Sequence, residues 1–120
     1  MKIIDLHSDT VSKIQAGANI FSGDNCDHVN LSRLNNGNVS IQVFANFVSS
    51  AFPRGRAWQE VNELIDLCHH TCVEFSDHLE KIETLSQAIE SINSQKIGII
   101  LSVENDHVIE NELSNLENYD

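Results

Sequence analysis

Residues 97–103 constrain the fold of this chain more than any other segment. They read Ile-Gly-Ile-Ile-Leu-Ser-Val, a nearly continuous apolar run. A strand with one face in water alternates apolar and polar residues, whereas a continuous run is typical of a strand covered on both faces in a parallel sheet. The run therefore predicts an α/β fold, in which helices pack on both sides of the sheet.

The rest of the chain alternates between strands and helices. A first strand is predicted over residues 2–6, and a second over residues 39–48, which are rich in β-branched and aromatic side chains. Residues 17–30 are crowded with Gly, Asn and Asp and are predicted to form a loop. The shorter predicted helices cover residues 10–15, 31–34, 84–93 and 109–116.

The longest predicted helix follows the single proline of the chain, Pro53. Its apolar side chains recur at intervals of three and four residues and form one stripe along about six helical turns. The stripe consists of Trp58, Val61, Ile65, Cys68, Cys72, Phe75 and Leu79. In the later helix over residues 84–93, the side chains expected to be buried are Leu85, Ala88, Ile89 and Ile92.

Three strands make an incomplete sheet, because the last one is apolar on both faces and would lie uncovered at an edge. A (β/α)8 barrel has about 250 residues, and three strands with their helices would form its first part. We therefore interpret residues 1–120 as the N-terminal part of a single barrel domain, its first three β/α units.

The charge of the chain excludes one class of partner. The net charge is -11, and residues 60–120 hold fourteen acidic but only two basic side chains. Phosphate recognition needs many Lys and Arg residues, so nucleic-acid binding is not expected. Neither a secretory signal nor an apolar run long enough for a membrane helix is recognisable, and three cysteines suit a reducing compartment. We expect a cytosolic protein that binds no membrane.

Candidate metal ligands follow two of the predicted strands. His7 and Asp9 lie two residues apart just after the first strand, so their side chains should point to the same side. Glu104 comes directly after the third strand, and barrel enzymes place their active sites at these strand ends. Zinc, manganese or iron would accept such ligands. A purely structural interpretation stays open, in which His7 is a core residue, Asp9 a helix cap and Glu104 a first-turn acid.

The order of these segments resembles the N-terminal part of the membrane dipeptidase (renal dipeptidase) family of zinc peptidases. That family opens with a strand and an Asp-x-His-x-Asp motif, and this chain reads Asp5-Leu6-His7-Ser8-Asp9. Further similar segments are His-Val-Asn-Leu-Ser-Arg-Leu at residues 28–34, Ile-Gln-Val-Phe at 41–44 and Ser-Val-Glu at 102–104. The resemblance covers almost the whole chain.

The resemblance implies a zinc-dependent hydrolase of dipeptides that acts through a metal-bridging hydroxide. His7 and Asp9 would bind one zinc, and Glu104 would bridge it to a second. Two histidine ligands, the proton-transfer residues and the substrate-binding residues would come from later strands, so the 120 residues alone should be inactive. This chain departs from the family pattern in two places. Asn105 and Asp106 stand where many members carry glycines, and Ala45 follows Phe44 where a tryptophan is common.

Two other functions compete with this interpretation. Metal-dependent phosphoesterases of the polymerase and histidinol phosphatase type also open with Asp-Leu-His, although they normally continue with a second histidine where this chain has Asp9. Alternatively, the chain is a non-catalytic fragment or module that packs against a partner, because it holds three ligands whereas a binuclear site needs five or more. The sequence is also compatible with a protein that forms a homodimer.

Other residues that could bind a metal are better explained by structure. Cys68 and Cys72 share a helix face with the apolar stripe, where free cysteine behaves as a small apolar side chain. Residues 24–27 are rich in oxygen ligands but do not fit the spacing of a calcium loop. His107 could line the mouth of the site, but a surface role is favoured.

Overall fold

A computed structural model describes residues 1–20, 28–53, 55–110 and 112–119 of the chain. Its centre is a four-stranded parallel sheet with the strand order β1-β2-β4-β3. The strands are β1 (Ile3–Asp5), β2 (Val39–Phe47), β3 (Leu79–Lys81) and β4 (Ile97–Glu104). The predicted α/β fold with a parallel sheet is therefore confirmed, and the apolar run that predicted it is one of the two inner strands.

Helices connect the strands as crossovers. They are α1 (Thr10–Gln15), α2 (Leu31–Asn36), α3 (Ala57–Glu74) and α4 (Leu85–Asn93), followed by the 3-10 helices Asp106–Ile109 and Leu113–Tyr119. Asn30 caps α2, since its side-chain oxygen accepts the N–H of Arg33 at 2.9 Å. Within the described ranges, no helix combines the length and the apolar character that crossing a membrane requires.

The predicted end of the longest helix is wrong, and a strand was missed there. Helix α3 ends at Glu74, and Leu79 begins β3, which pairs with the start of β4. Residues 75–78 form a turn in which the N–H groups of His78 and Leu79 both bond to the carbonyl of Phe75. Phe75 and Leu79, the last two apolar side chains of the predicted stripe, are four residues apart. This spacing fits one more helical turn, and it also fits a tight turn that leads into a strand. The sequence pattern could not separate the two, because Leu79 is buried in the same core either way.

The predicted burial of α4 is also wrong in part. Leu85 and Ile89 are 77% and 54% exposed, while the small polar residue Ser91 is fully buried. The helix meets the sheet through Ser91, because a methyl group added at Gly98 of β4 would lie 2.5 Å from Ser91 Oγ. Gly98 thus permits a close approach that sets which face of α4 turns inward. Thr84 and Gln87 form a capping box at the start of the helix, as their spacing allows.

The predicted helix over residues 109–116 is replaced by the two 3-10 helices. Glu110 separates them, because its backbone adopts a left-handed conformation with φ of 55°. Its N–H bonds to the carbonyl of His107, which closes the first of these short helices. Val108 in that helix is buried in the core.

The two faces of the sheet differ in how they are covered. Phe44 of β2 and Ile99 of β4 face helix α3 and form the core with Val61 and Cys68. Ile41 of β2 pairs with Gly98, and that opposite face meets α4 at the start of the strands. Towards the ends of the strands the same face is open, and Phe47 is 46% exposed there. We call this surface the open face of the sheet, and it is where the candidate ligands lie.

Candidate metal centre

Pairing between the first strand and β2 resumes after Asp5, and this sets the direction of His7 and Asp9. The N–H of Ser8 bonds to the carbonyl of Val43, and the N–H of Ala45 bonds to the carbonyl of Ser8. In a parallel ladder this pattern pairs Ser8 with Phe44, on the covered face. Ser8 is accordingly buried, and its two neighbours, His7 and Asp9, turn to the open face.

Glu104 reaches the open face from the end of β4. Its register partner in β2 is Phe47, so the two side chains stand next to each other on that face. The distance from His7 Nε2 to Glu104 Oε2 is 4.0 Å, and that from His7 Nε2 to Asp9 Oδ2 is 3.6 Å. The structure therefore brings together all three residues that the sequence singled out.

These separations fit the ligand sphere of a metal ion. Tetrahedral bonds of roughly 2.1 Å place ligand atoms about 3.4 Å apart. The three ligand atoms all lie within 4.8 Å of one another, so only small side-chain movements would be needed for them to share an ion. In the part of the chain that the structure describes, this is the one group of three or more such residues close enough to hold a metal ion.

The structural alternatives for these residues find no support in their surroundings. His7 is 55% exposed and so is not a core histidine. Asp9 precedes helix α1 at the N-cap position, but its side chain makes no capping hydrogen bond. Glu104 belongs to β4, and the cap of the following 3-10 helix is Asn105. The carboxylate of Asp9 therefore does not cap a helix, and Glu104 does not lie in the first turn of one.

The segment after Glu104 is tied to the loop between β2 and α3. His107 Nε2 donates a hydrogen bond to the carbonyl of Phe52 at 2.9 Å. Glu110 Oε1 accepts the N–H groups of Gly55 at 2.7 Å and of Trp58 at 3.2 Å, so a carboxylate lies at the N-terminus of α3. Sequence reasoning missed this role of Glu110, because its partners lie more than fifty residues earlier in the chain and no local pattern links them.

The backbone conformation of Asn105 bears on one departure from the family pattern, the asparagine that stands where many members carry a glycine. Its backbone has φ of 81° and ψ of 131°, a region that glycine enters freely and other residues avoid. Its side-chain oxygen accepts the N–H of His107 at 3.0 Å. The chain thus keeps a conformation suited to glycine and adds a local hydrogen bond.

The two cysteines of α3 belong to the core, as the sequence predicts. Cys68 and Cys72 are 1% and 6% exposed. Burial raises the pKa of Cys68 to about 12 and that of Cys72 to about 11, so both remain thiols at neutral pH. A metal ligand would have to be a thiolate. The oxygen-rich residues 24–27 lie outside the described residues.

Comparisons with known proteins point to one family. The family model for membrane dipeptidases (peptidase family M19) matches residues 1–120. A search of curated proteins gave no match.

Among solved structures, this chain is similar to the crystal structure of dipeptidase AC, a metallopeptidase of family M19. The TM-score is 0.87 at 17% sequence identity, over 99% of this chain and 39% of the other chain. At this identity the likeness concerns the fold. The structural similarity confirms the predicted fold class, the first units of a (β/α)8 barrel. This chain spans well under half of the length of that protein.

Proposed function

Because this chain belongs to the membrane dipeptidase family (peptidase family M19), we propose that the natural full-length protein is a zinc-dependent dipeptidase and that His7, Asp9 and Glu104 bind its metal. The observation that carries the proposal is the convergence of these three ligand atoms from two strand ends, within 4.8 Å of one another. Active sites of barrel enzymes lie at this end of the strands.

Each of the three residues has a distinct part in the proposed site. His7 offers the lone pair of Nε2, which faces both carboxylates. Asp9 supplies one negative charge beside it. Glu104 is our candidate for the bridging ligand, because a carboxylate has two oxygens and can face two ions at once. The remaining ligands and the proton-transfer residues would come from outside these 120 residues.

The chemistry of the reaction depends on what the bound metal contributes. Zinc held by His7, Asp9 and Glu104 would supply an activated water as nucleophile and would polarise the peptide carbonyl of a dipeptide. Phe47 stands beside Glu104 on the open face and is 46% exposed. We propose that it offers apolar contact to a side chain of the dipeptide.

The experiment is a hydrolysis assay on the full-length protein, stripped of metal and reloaded with zinc. We expect amino-acid release from a panel of dipeptides and none after metal removal. Glu104→Gln should cost at least the roughly 10- to 100-fold that outer-sphere changes typically cost in metal sites. Glu112→Gln is the matched control, since it makes the same change at an exposed carboxylate outside the metal group and should leave the rate unchanged.

Two outcomes would contradict the proposal. One is the absence of hydrolysis with every dipeptide despite bound zinc. The other is release of phosphate from a simple phosphomonoester, which would favour the phosphoesterase alternative. A cytosolic location and a homodimer stay predictions, to be measured by cell fractionation and analytical ultracentrifugation.

A further inference from the structure

Asp5 is not one of the three candidate metal ligands, but its side chain contacts the backbone of His7, which is one of them. Asp5 pairs with Gln42 of β2, so its position in the ladder lies on the covered face of the sheet. Its carboxylate oxygen Oδ1 accepts the backbone N–H of His7 at 3.1 Å. The residue is thus joined to a candidate ligand through the main chain.

The register of the sheet shows why this contact matters. From Asp5 to Ser8 the first strand advances three residues, while its partner β2 advances two, from Gln42 to Phe44. The first strand therefore contains one extra residue, a β-bulge. The sheet already carries an irregularity of the opposite sense, since Ile3 pairs with Val39 but Ile4 pairs with Ile41, which leaves one extra residue in β2. The bulge compensates for this shift. Without the bulge, the pairing of Ile4 and Asp5 would continue with His7 opposite Phe44, and the imidazole would point into the helix-covered core.

A shift of one residue moves every later side chain to the opposite face of a sheet. After the register that Ile4 and Asp5 adopt, the bulge thus returns His7 and Asp9 to the open face, where Glu104 lies. A bulge also leaves backbone groups of the extra residue without a partner in the ladder. The hydrogen bond from the His7 N–H to the Asp5 carboxylate supplies such a partner inside the bulge.

We propose that Asp5 is a positioning residue for the metal centre: its carboxylate oxygen holds the bulge that turns His7 and Asp9 towards Glu104. This inference rests on the proposed function, because it concerns the same site. It predicts that the hydrogen-bond acceptor of Asp5 matters and that its negative charge does not. An asparagine at this position keeps an oxygen in the same place.

The test measures zinc affinity in the full-length, metal-free protein by competition with a chromophoric chelator. Asp5→Ala should raise the dissociation constant about 10- to 100-fold, the usual effect of losing a partner that orients a ligand. Asp5→Asn should bind zinc about as tightly as the unsubstituted protein. If Asp5→Ala fails to fold, Asp5→Glu replaces it, since its longer side chain displaces the acceptor, and the same loss is expected.

A second readout separates positioning from a general loss of stability. The visible absorption of the Co²⁺-loaded protein depends on the geometry of the ligands, so it should change in Asp5→Ala and be restored in Asp5→Asn. Asp77→Ala removes the same charge from an exposed turn and serves as the control, with affinity and spectrum unchanged.

The possible failures can be told apart with His7→Ala. If His7→Ala binds zinc normally, the metal site itself is wrong and the proposed function fails with it. If His7→Ala weakens binding but Asp5→Ala does not, only the role of Asp5 is overturned. A loss in Asp5→Asn equal to that in Asp5→Ala would also overturn it, because the charge would then be what counts.

Discussion

At the scale of single residues, backbone conformation decides what the sequence pattern left in doubt. The motif predicted that His7 and Asp9 share a side of the chain, and alternation around the buried Ser8 agrees. Which face they share depends on two compensating register shifts, one extra residue in β2 after Val39 and one in the first strand after Asp5, and no local pattern predicts either. In the same way, the sequence shows only that Asn105 replaces a glycine of the family pattern. The structure shows that this position has a backbone φ of 81°, which favours glycine.

Asn105 leads to a prediction about stability. We expect Asn105→Gly to be more stable than Asn105→Ala by about 1–3 kcal/mol, because alanine keeps the unfavourable backbone conformation and glycine relieves it. Both variants lose the hydrogen bond to the N–H of His107, so that loss cancels in the comparison. Urea unfolding of the metal-free variants measures the difference. Equal stability would show that this conformation carries no strain.

At the scale of elements, periodicity located helix α3 but not its end. Val61, Cys68 and Cys72 of the predicted stripe lie in the core, whereas Trp58, Ile65 and Phe75 are only partly buried. Leu64, which the predicted stripe did not include, is buried as well. The apolar spacing extends to Leu79 of β3 because this side chain packs in the same core as the helix before it. For α4, the capping residues were readable in the sequence, whereas its contact surface was set by Gly98 on another strand.

The buried cysteines of α3 give a prediction about pH. Burial raises the pKa of Cys68 to about 12 and of Cys72 to about 11, from 9.0 for an ordinary thiol. Above about pH 9 the unfolded chain loses these protons while the folded chain keeps them, so the stabilisation is present below pH 9 and is lost as the pH rises towards 12. The free energy of unfolding should therefore fall in that range.

The measurement compares the protein with a Cys68→Ala, Cys72→Ala variant in urea at about pH 7 and about pH 10, under reducing conditions. The variant should be less stable at the lower pH, because it leaves a cavity. The gap between the two proteins should narrow at the higher pH, since only the unsubstituted protein can ionise these thiols. Other groups that titrate there are common to both and cancel. A constant gap would refute the prediction.

At the scale of the whole molecule, both the open face of the sheet and helix α4 expose apolar side chains. Large apolar side chains are exposed on the first strand, at the end of β2 and along α4. They include Ile4, Leu6, Phe47, Leu85 and Ile89, between 46% and 77% exposed. Exposed apolar side chains of this kind mark sites of contact with other chain segments or proteins.

We expect the 120-residue polypeptide to reveal this surface in solution. It should bind an apolar fluorescent dye and self-associate as its concentration increases. Leu85→Gln combined with Ile89→Gln should lower both effects without loss of helical circular dichroism, since both side chains are largely exposed. Val61→Gln is the contrasting variant, which should unfold the chain because Val61 is fully buried. Unchanged dye binding in the double variant would mean that α4 contributes nothing to the surface.

Local sequence patterns were enough to predict the parallel α/β fold, the position of the long helix and the identity of the three candidate ligands. These features follow from local rules: an apolar run, helical periodicity and the rule that parallel strands end at one edge of the sheet. Four features became visible only in the folded chain: the extra strand β3, the exposed side of α4, the bulge after Asp5 and the contact of Glu110 with α3. Each of these depends on register or packing between segments far apart in the chain, and local patterns carry no information about either.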